Sequence, residues 1–280
     1  MPRASVQGIE IEYAVQGDLR TLRPLILIRG LSTQMIHWDP DWLNALVEAG
    51  HAVITFDNRD VGLSTHCTPP HPKSHYSLGD MAGDVIGLMD HLDLPKAHVV
   101  GISMGGMIAQ RMAIHGPERV ASLTSIMSTS GDPGLPGPTD EALKALMKPP
   151  ARDRAGYIAD QVRNGRVFHG PSEPFDEVAA AQKAGEAFDR AFDPAGVARQ
   201  MSAIQRDPPR GPALAQVRMP ALVIHGSADP LVPAQCGRAT ADALPNARFL
   251  LIEGMGHDLP RSAWREILGA VSALTASVPG

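Results

Sequence analysis

Short, mostly apolar runs alternate with stretches of helical spacing along much of the chain. The runs fall at 24–28, 52–56, 98–100, 121–127, 221–225 and 248–252. Runs of this kind are typical of parallel strands that are buried on both faces. Helical spacing is visible at 38–49, 77–92 and 261–274. This alternation predicts a largely parallel sheet covered by helices on both faces, and the alternating residues 9–13 predict antiparallel hairpin strands near its beginning.

The alternation stops between residues 131 and 214. Helical stretches dominate there, and prolines stand at the joins, as in Pro149-Pro150 and Pro208-Pro209. We therefore expect a helical cap inserted at 131–214 and a core domain formed by 1–130 and 215–280. Open α/β sheets bind ligands at the carboxyl ends of their strands, so the insertion is expected to cover that edge.

Composition and charge narrow the function classes. The 280 residues are 44% hydrophobic and 20% charged, as in ordinary globular proteins. The net charge of -5 argues against a nucleic-acid partner and offers no basic face to a membrane, so a small-molecule substrate is expected. The two cysteines, Cys67 and Cys236, form no framework, and the first residues do not resemble a signal peptide. We expect a cytoplasmic protein and predict no oligomeric state.

The sharpest local pattern is Gly101-Ile102-Ser103-Met104-Gly105, between an apolar run and a helical stretch. A strand, a tight turn and a helix with serine at the apex form the G-x-S-x-G nucleophile elbow. The glycines let the strand and the helix pass closely while the serine adopts a strained backbone conformation. The helix N-terminus directs N–H groups at any anion that forms there. Ser103 is therefore the expected nucleophile.

A serine hydroxyl needs a base to take its proton. Among eleven histidines, His257 is the best candidate because its glycine-rich loop follows the last predicted strand, beside the elbow. His225, at the end of a strand, is expected to pack. Asp229 follows the penultimate strand and is expected to orient the imidazole. Asp132, after the strand that follows the elbow, is the competing acid, although its surroundings favour a turn.

The oxyanion of a tetrahedral intermediate needs hydrogen-bond donors. We expect the backbone N–H of Met104 and the N–H of Leu31, with Gly30 letting the loop approach the serine. Met127 is a further candidate for substrate contact, because methionines suit an adaptable acyl pocket, although they also fill cores.

Other polar and aromatic groups receive no catalytic role. Residues 57–60 are expected to form a hydrogen-bonded turn that holds the oxyanion loop, and Asp258 to cap the last helix or contact solvent. One proline-rich loop matches no zinc spacing, so a solvated loop without a metal is expected; it carries His66, Cys67, His71 and His75. Four phenylalanines fit a small core of the insertion and a substrate-facing wall equally well: Phe168, Phe175, Phe188 and Phe192.

Taken together, these residues resemble the α/β-hydrolase superfamily. The matching segments are Gly101–Gly105, Asp57-x-Arg59-x-x-Gly62-x-Ser64, Gly226-x-x-Asp229-x-x-Val232-Pro233 and Gly254-x-Gly256-His257. Residues 254–260 and 192–196 also look like those of bacterial esterases related to aclacinomycin methylesterase. The resemblance implies an α/β-hydrolase fold, with a mostly parallel eight-stranded sheet, helices on both faces and an inserted helical cap that shapes the substrate site. It implies no cofactor.

One position departs from the superfamily. Many members have His-Gly at the oxyanion loop, where this chain has Arg29-Gly30. Arg29 is expected either to pair with an acid such as Asp57 or to bind a substrate carboxylate.

The sequence thus predicts a serine hydrolase that cleaves small-molecule carboxylic esters through an acyl-enzyme, using Ser103, His257 and Asp229. Hydrolysis of a lactone, a thioester or a C–C bond, or perhydrolysis, stays open as an alternative use of the same residues. A non-catalytic small-molecule receptor on the same fold is a further, weaker alternative.

Overall fold

A computed structural model describes residues 2–278 of the chain. The strands are β1 (Arg3–Val6), β2 (Ile9–Gln16), β3 (Arg23–Ile28), β4 (His51–Phe56), β5 (Ala97–Ile102), β6 (Val120–Ile126), β7 (Ala221–Gly226) and β8 (Ala247–Ile252). The α-helices are α1 (Pro40–Glu48), α2 (Leu78–His91), α3 (Met104–His115), α4 (Asp140–Leu146), α5 (Arg154–Phe168), α6 (Glu177–Arg190), α7 (Pro194–Arg206), α8 (Gly211–Leu214), α9 (Ala234–Ala243) and α10 (Arg261–Ala276). Two short 3₁₀ helices span Met35–His37 and Pro117–Arg119.

All eight strands belong to one sheet, in the order β1-β2-β4-β3-β5-β6-β7-β8. The pairs β1–β2 and β2–β4 are antiparallel, and every later pairing is parallel. The predicted mostly parallel, eight-stranded sheet is confirmed. Because β3 to β8 run in one direction, the loops that follow them meet at one edge of the sheet.

The central strands separate two hydrophobic cores. Successive residues of a strand point to opposite faces of the sheet. On β3, Ile26 and Ile28 therefore join the core that contains residues of α2 and α3. Leu25 and Leu27 join the second core, with residues of α1 and α10. Uninterrupted apolar runs are needed because both faces of these strands are covered by helices.

Five helices, α4 to α8, lie between β6 and β7. We call residues 131–214 the helical insertion. Its longest helix, α5, contains no fully buried residue, whereas β4, β5 and β7 are buried at every position. None of the helices in residues 2–278 is both long enough and apolar enough to cross a membrane.

Candidate active site

Ser103 stands between the end of β5 and the start of α3 with a strained backbone, at φ 53° and ψ -122°. A Cβ atom at Gly101 would collide with the carbonyl oxygen of Gly105. A Cβ atom at Gly105 would collide with the carbonyl oxygen of Ile28 on the neighbouring strand. The two glycines therefore allow the close crossing of strand and helix that the elbow requires.

Neighbouring residues of the sheet hold the strained serine in place. The Ser103 N–H donates to the carbonyl oxygen of Ile126, at the end of β6, over 2.9 Å. The hydroxyl of Ser128 donates to the carbonyl oxygen of Ser103 over 2.8 Å. Strained conformations persist where the surroundings over-determine them, and these two bonds supply that constraint.

Three side chains from separate loops meet at the carboxyl edge of the sheet. His257 Nε2 lies 3.0 Å from Ser103 Oγ, and His257 Nδ1 lies 2.8 Å from Asp229 Oδ2. The other carboxylate oxygen of Asp229 accepts the N–H groups of Leu231 and Val232, at 2.9 and 2.8 Å. A hydroxyl, an imidazole and a carboxylate therefore form one continuous line of contacts.

The surroundings of Asp229 keep its carboxylate ionised. Burial alone would raise the pKa of Asp229, but the charge of His257 and hydrogen bonds from His225, His257 and Val232 outweigh burial and lower that pKa. His225 is fully buried, with Nε2 at 2.7 Å from the carbonyl oxygen of Val232 and 3.4 Å from Asp229 Oδ2. His225 thus packs, as expected, and it also steadies the loop that carries the acid, which its strand-end position alone did not indicate.

The competing acid, Asp132, lies elsewhere. It accepts a hydrogen bond from Ser130 Oγ at 2.6 Å and from the Gly211 N–H at 3.1 Å. Among residues 2–278, no hydrogen bond or ion pair joins Asp132 to His257. The structure therefore brings Asp229 to the imidazole, and Asp132 serves a turn.

The loop of His257 is held by the helical insertion. The His257 N–H donates to the carbonyl oxygen of Phe168, the last residue of α5, over 2.7 Å. A Cβ atom at Gly256 would collide with the same carbonyl oxygen, and one at Gly170 would collide with the backbone of residues 254–256. This contact was not predicted, and the glycines at 170 and 256 were its only trace in the sequence.

The two expected oxyanion donors lie near the serine. Met104 is the first residue of α3, where a backbone N–H has no acceptor within the helix. A Cβ atom at Gly30 would come within 3.1 Å of the Ser103 Cβ, so the loop that carries Leu31 passes directly beside the nucleophile. The Leu31 N–H finds no acceptor within residues 2–278.

The turn at residues 57–60 supports this loop, as expected. Asn58 Nδ2 donates to the carbonyl oxygen of Arg29 over 3.1 Å. Asp57 accepts the N–H of Met35 at 2.8 Å. One supporting residue was not predicted: Gln200 of α7 accepts the Ser32 N–H at 3.0 Å.

Comparison with known proteins agrees with this fold. The profile of the alpha/beta hydrolase fold family matches residues 23–173, and that of the TAP-like protein family matches residues 195–264. The chain is 32% identical to rhodomycin D methylesterase DnrP of Streptomyces peucetius in an alignment that covers 90% of each chain.

The chain belongs to the α/β-hydrolase family.

Solved structures share this fold. Esterase RhEst1 from Rhodococcus sp. ECU1013 superposes with a TM-score of 0.79 at 23% identity, covering 99% of this chain and 98% of the other. The enol-lactonase from Burkholderia xenovorans LB400 superposes with a TM-score of 0.74 at 24% identity, covering 98% of each chain. The match to DnrP confirms the predicted resemblance to bacterial methylesterases of this family.

One expectation about the side chains of this α/β hydrolase was wrong, and another was incomplete. Asp258 neither caps α10, which begins after Pro260, nor simply faces solvent. It lies 2.5 Å from His169 Nδ1, because the insertion brings that histidine against the loop of the base. The loop that carries His66 is largely exposed, as expected, but the ring nitrogens of His66 contact Asp193 Oδ2 at 2.8 Å and the Gly62 carbonyl at 3.0 Å.

Arg29 does not pair with Asp57. Asp57 instead contacts Arg190 Nη1 of α6 at 2.6 Å. The guanidinium of Arg29 lies 4.7 Å above the centre of the Trp38 ring. The first of its two expected roles is therefore excluded within the described residues.

A cavity of about 1290 Å³ opens above Ser103 and His257. Gly30, Arg29 and Met127, the candidates for substrate contact, all belong to its wall. Helices of the insertion form much of the opposite side.

The phenylalanines divide between their two expected roles. Phe168, Phe175 and Phe192 line the cavity, whereas Phe188 packs on Tyr157 and Phe192, with ring centres 5.6 and 4.7 Å away.

Proposed function

We propose that this α/β hydrolase is a serine esterase that cleaves carboxylic esters of small molecules through an acyl-enzyme. The observation that carries the proposal is the continuous line of contacts from Ser103 Oγ through His257 to Asp229, at the bottom of the cavity. The similarity to the methylesterase DnrP, at 32% identity, supports esters as the substrate class.

In the first step, Ser103 Oγ attacks the carbonyl carbon of the ester while its proton passes to His257 Nε2. The N–H groups of Leu31 and Met104 stabilise the negative oxygen of the tetrahedral intermediate. His257 then gives the proton to the leaving alcohol as the C–O bond breaks, which leaves the acyl group on Ser103. A water molecule, deprotonated by the same imidazole, releases the acid and restores the serine.

Asp229 holds the imidazole in the tautomer that this sequence needs. Its ionised oxygen accepts the Nδ1–H of His257, so Nε2 is free to take the proton of Ser103. The same carboxylate stabilises the imidazolium that forms after proton transfer.

The helical insertion acts as the cap of this enzyme, with 1–130 and 215–280 as the core domain. Support comes from its share of the cavity wall and from the Phe168 carbonyl that holds His257. Both cysteines are unpaired and buried, which suits a reducing compartment such as the cytoplasm.

The test replaces Ser103 with alanine. Ser103→Ala is expected to abolish both turnover of a short p-nitrophenyl ester and covalent labelling by a fluorophosphonate, while the circular-dichroism spectrum stays unchanged. Full turnover by this variant would refute the proposal.

A matched pair of variants tests the acid. Asp229→Asn is expected to lower kcat by about 10⁴-fold, because the amide favours the wrong tautomer. Asp132→Asn makes the same acid-to-amide change at the other candidate and is expected to leave kcat close to that of the parent enzyme. The reverse result would transfer the role to Asp132.

A further inference from the structure

Only one lysine or arginine side chain in the cavity wall lacks an acidic partner among residues 2–278. Apart from histidines, three basic residues line the cavity: Arg29, Lys148 and Arg261. Lys148 pairs with Asp160, and Arg261 pairs with Asp39 at 2.8 Å and with Asp41. No acid among residues 2–278 pairs with Arg29.

The acids of the wall are already engaged with other groups. Asp60 and Asp193 both contact Arg199, at 2.7 and 3.1 Å. Asp258 contacts His169. The cavity therefore has one positive group that its own carboxylates do not neutralise.

The surroundings of Arg29 leave its charge in place. Burial lowers the pKa of Arg29 to about 9, which keeps the guanidinium protonated at neutral pH. His37 beside it stays neutral, because burial first and the charge of Arg29 second lower the pKa of His37 to about 3. The contacts of the guanidinium are weak: the Trp38 ring, and a long hydrogen bond of 3.4 Å from Nε to Thr33 Oγ1.

The cavity wall also contains two indole N–H groups without acceptors, one of them on Trp38 beside Arg29. Trp38 and Trp42 belong to the cavity wall, and both are 2% exposed. Neither indole N–H has a hydrogen-bond partner within residues 2–278. Buried donors are normally paired, so each unpaired group calls for an explanation. A negatively charged group beside Arg29 would lie next to Trp38, whose ring Arg29 contacts, and would bring a hydrogen-bond acceptor close to that indole.

The backbone of Arg29 lies close to the nucleophile, and both residues line the same cavity. Arg29 directly precedes Gly30, which passes beside Ser103, and stands two residues before Leu31, the proposed oxyanion donor. A guanidinium presents parallel N–H donors that match a carboxylate, and such pairs strengthen where water is excluded. Asn58 holds the backbone of the loop at the Arg29 carbonyl, so the loop does not depend on the arginine side chain for that support.

We propose that Arg29 binds a free carboxylate of the substrate, and that the preferred substrates are half-esters of dicarboxylic acids. The inference rests on the proposed esterase function. Arg29 then determines specificity by recognising the second acid group while Ser103 attacks the ester group.

The experiment compares monomethyl with dimethyl esters of the dicarboxylic acids from succinate to suberate, using the full chain and quantifying the acid products by mass spectrometry. At one chain length, kcat/KM of the parent enzyme is expected to favour the monomethyl ester. Arg29→Met is expected to lower the ratio of monomethyl to dimethyl kcat/KM by about tenfold to hundredfold, mainly through KM. Arg29→Lys, which keeps the charge but not the planar fork, is expected to give an intermediate ratio.

Arg261→Met is the matched control, since it removes another cavity-wall arginine whose charge is already paired; its ratio is expected to match that of the parent enzyme. If Arg29→Met does not fold, Arg29→Gln gives the same comparison with a polar side chain. A parent enzyme that prefers the dimethyl esters at every chain length, or an unchanged ratio in the Arg29 variants, overturns the inference. Hydrolysis of neither series, together with absent fluorophosphonate labelling, instead overturns the esterase proposal itself.

Discussion

The core and the helical insertion differ in the kind of contact that stabilises each of them. Every residue of β5 is buried, and the strands of the core present apolar side chains to helices on both sides. In the insertion, α5 has no fully buried residue, and exposed ion pairs join it to α6, between Arg154 and Asp189 and between Arg166 and Glu177. Apolar packing thus dominates around the sheet, whereas the insertion adds polar contacts to the few apolar residues, such as Ala203 and Leu214, that it contributes to the same core.

A few buried polar contacts join the two regions. Arg190 Nη1 of α6 lies 2.6 Å from Asp57 Oδ2 and 2.8 Å from Gln34 Oε1. Gln200 of α7 donates to the Arg59 carbonyl over 2.8 Å. These contacts end on the loops after β3 and β4, which include the proposed oxyanion loop. The insertion is therefore attached at the place where its position affects the reaction.

The largest expected effect comes from a pair of matched leucines. Leu27 on β3 is 0% exposed, whereas Leu143 on α4 is 45% exposed. Leu27→Ala is expected to lower the free energy of unfolding by about 2–5 kcal/mol, because it leaves a cavity between the sheet and its helices. Leu143→Ala is expected to change it little. Equal losses in urea unfolding of the two variants would contradict the difference between core and insertion.

An intermediate effect on stability is expected where the insertion contacts the core. Arg190→Met leaves the Asp57 carboxylate buried with its two backbone donors but without its cation. We expect a loss of about 1–3 kcal/mol in the free energy of unfolding, accompanied by a lower kcat. Arg154→Met is the control, because Arg154 forms an exposed ion pair with Asp189 in the same insertion and its loss is expected to leave the melting temperature unchanged. Identical melting temperatures for both variants would contradict the importance of the contact between Arg190 and Asp57.

The smallest effect concerns pH and a histidine of the core. Burial, with smaller contributions from nearby positive groups, lowers the pKa of His98 on β5 from 6.5 to about 4. The imidazole of His98 is therefore protonated at higher pH in the unfolded chain than in the folded one. The contribution of neutral His98 to the free energy of unfolding is fully present above pH 6.5 and is lost as the pH decreases towards 4. Through this one group, the free energy of unfolding falls by at most about 1.4 kcal/mol per pH unit.

His98→Gln is expected to reduce this slope in unfolding curves recorded between neutral and acidic pH. His115→Gln removes an exposed imidazole and is expected to leave the slope as it is. A slope that is the same in all three proteins would show that acid weakens another group.

The sequence allowed prediction of those parts of the molecule that depend on local patterns. Apolar runs predicted the buried strands, and the glycines around Ser103 predicted the elbow, because each follows from a steric or burial requirement within a few residues. The position of Asp229 and His257 after successive strands predicted their meeting, since parallel strands end at one edge.

Most of the contacts that escaped prediction cross between the insertion and the core; the contact of His225 with the loop of Asp229 lies within the core. The bond from the His257 N–H to Phe168, the pairing of Asp258 with His169, and the choice of Arg190 rather than Arg29 as the partner of Asp57 are examples. They join single polar groups that are far apart in the chain and follow no periodic pattern. They depend on how one set of helices docks on the sheet, which no local preference determines.

The hydrogen bond between Phe168 and His257 has a consequence for inheritance of substrate preference. A chimaera that receives the insertion of a relative also receives a new carbonyl support for its own base. Exchange of the insertion is therefore expected to change substrate preference and reaction rate together, unless the chimaera keeps residues 168–172 of the recipient chain.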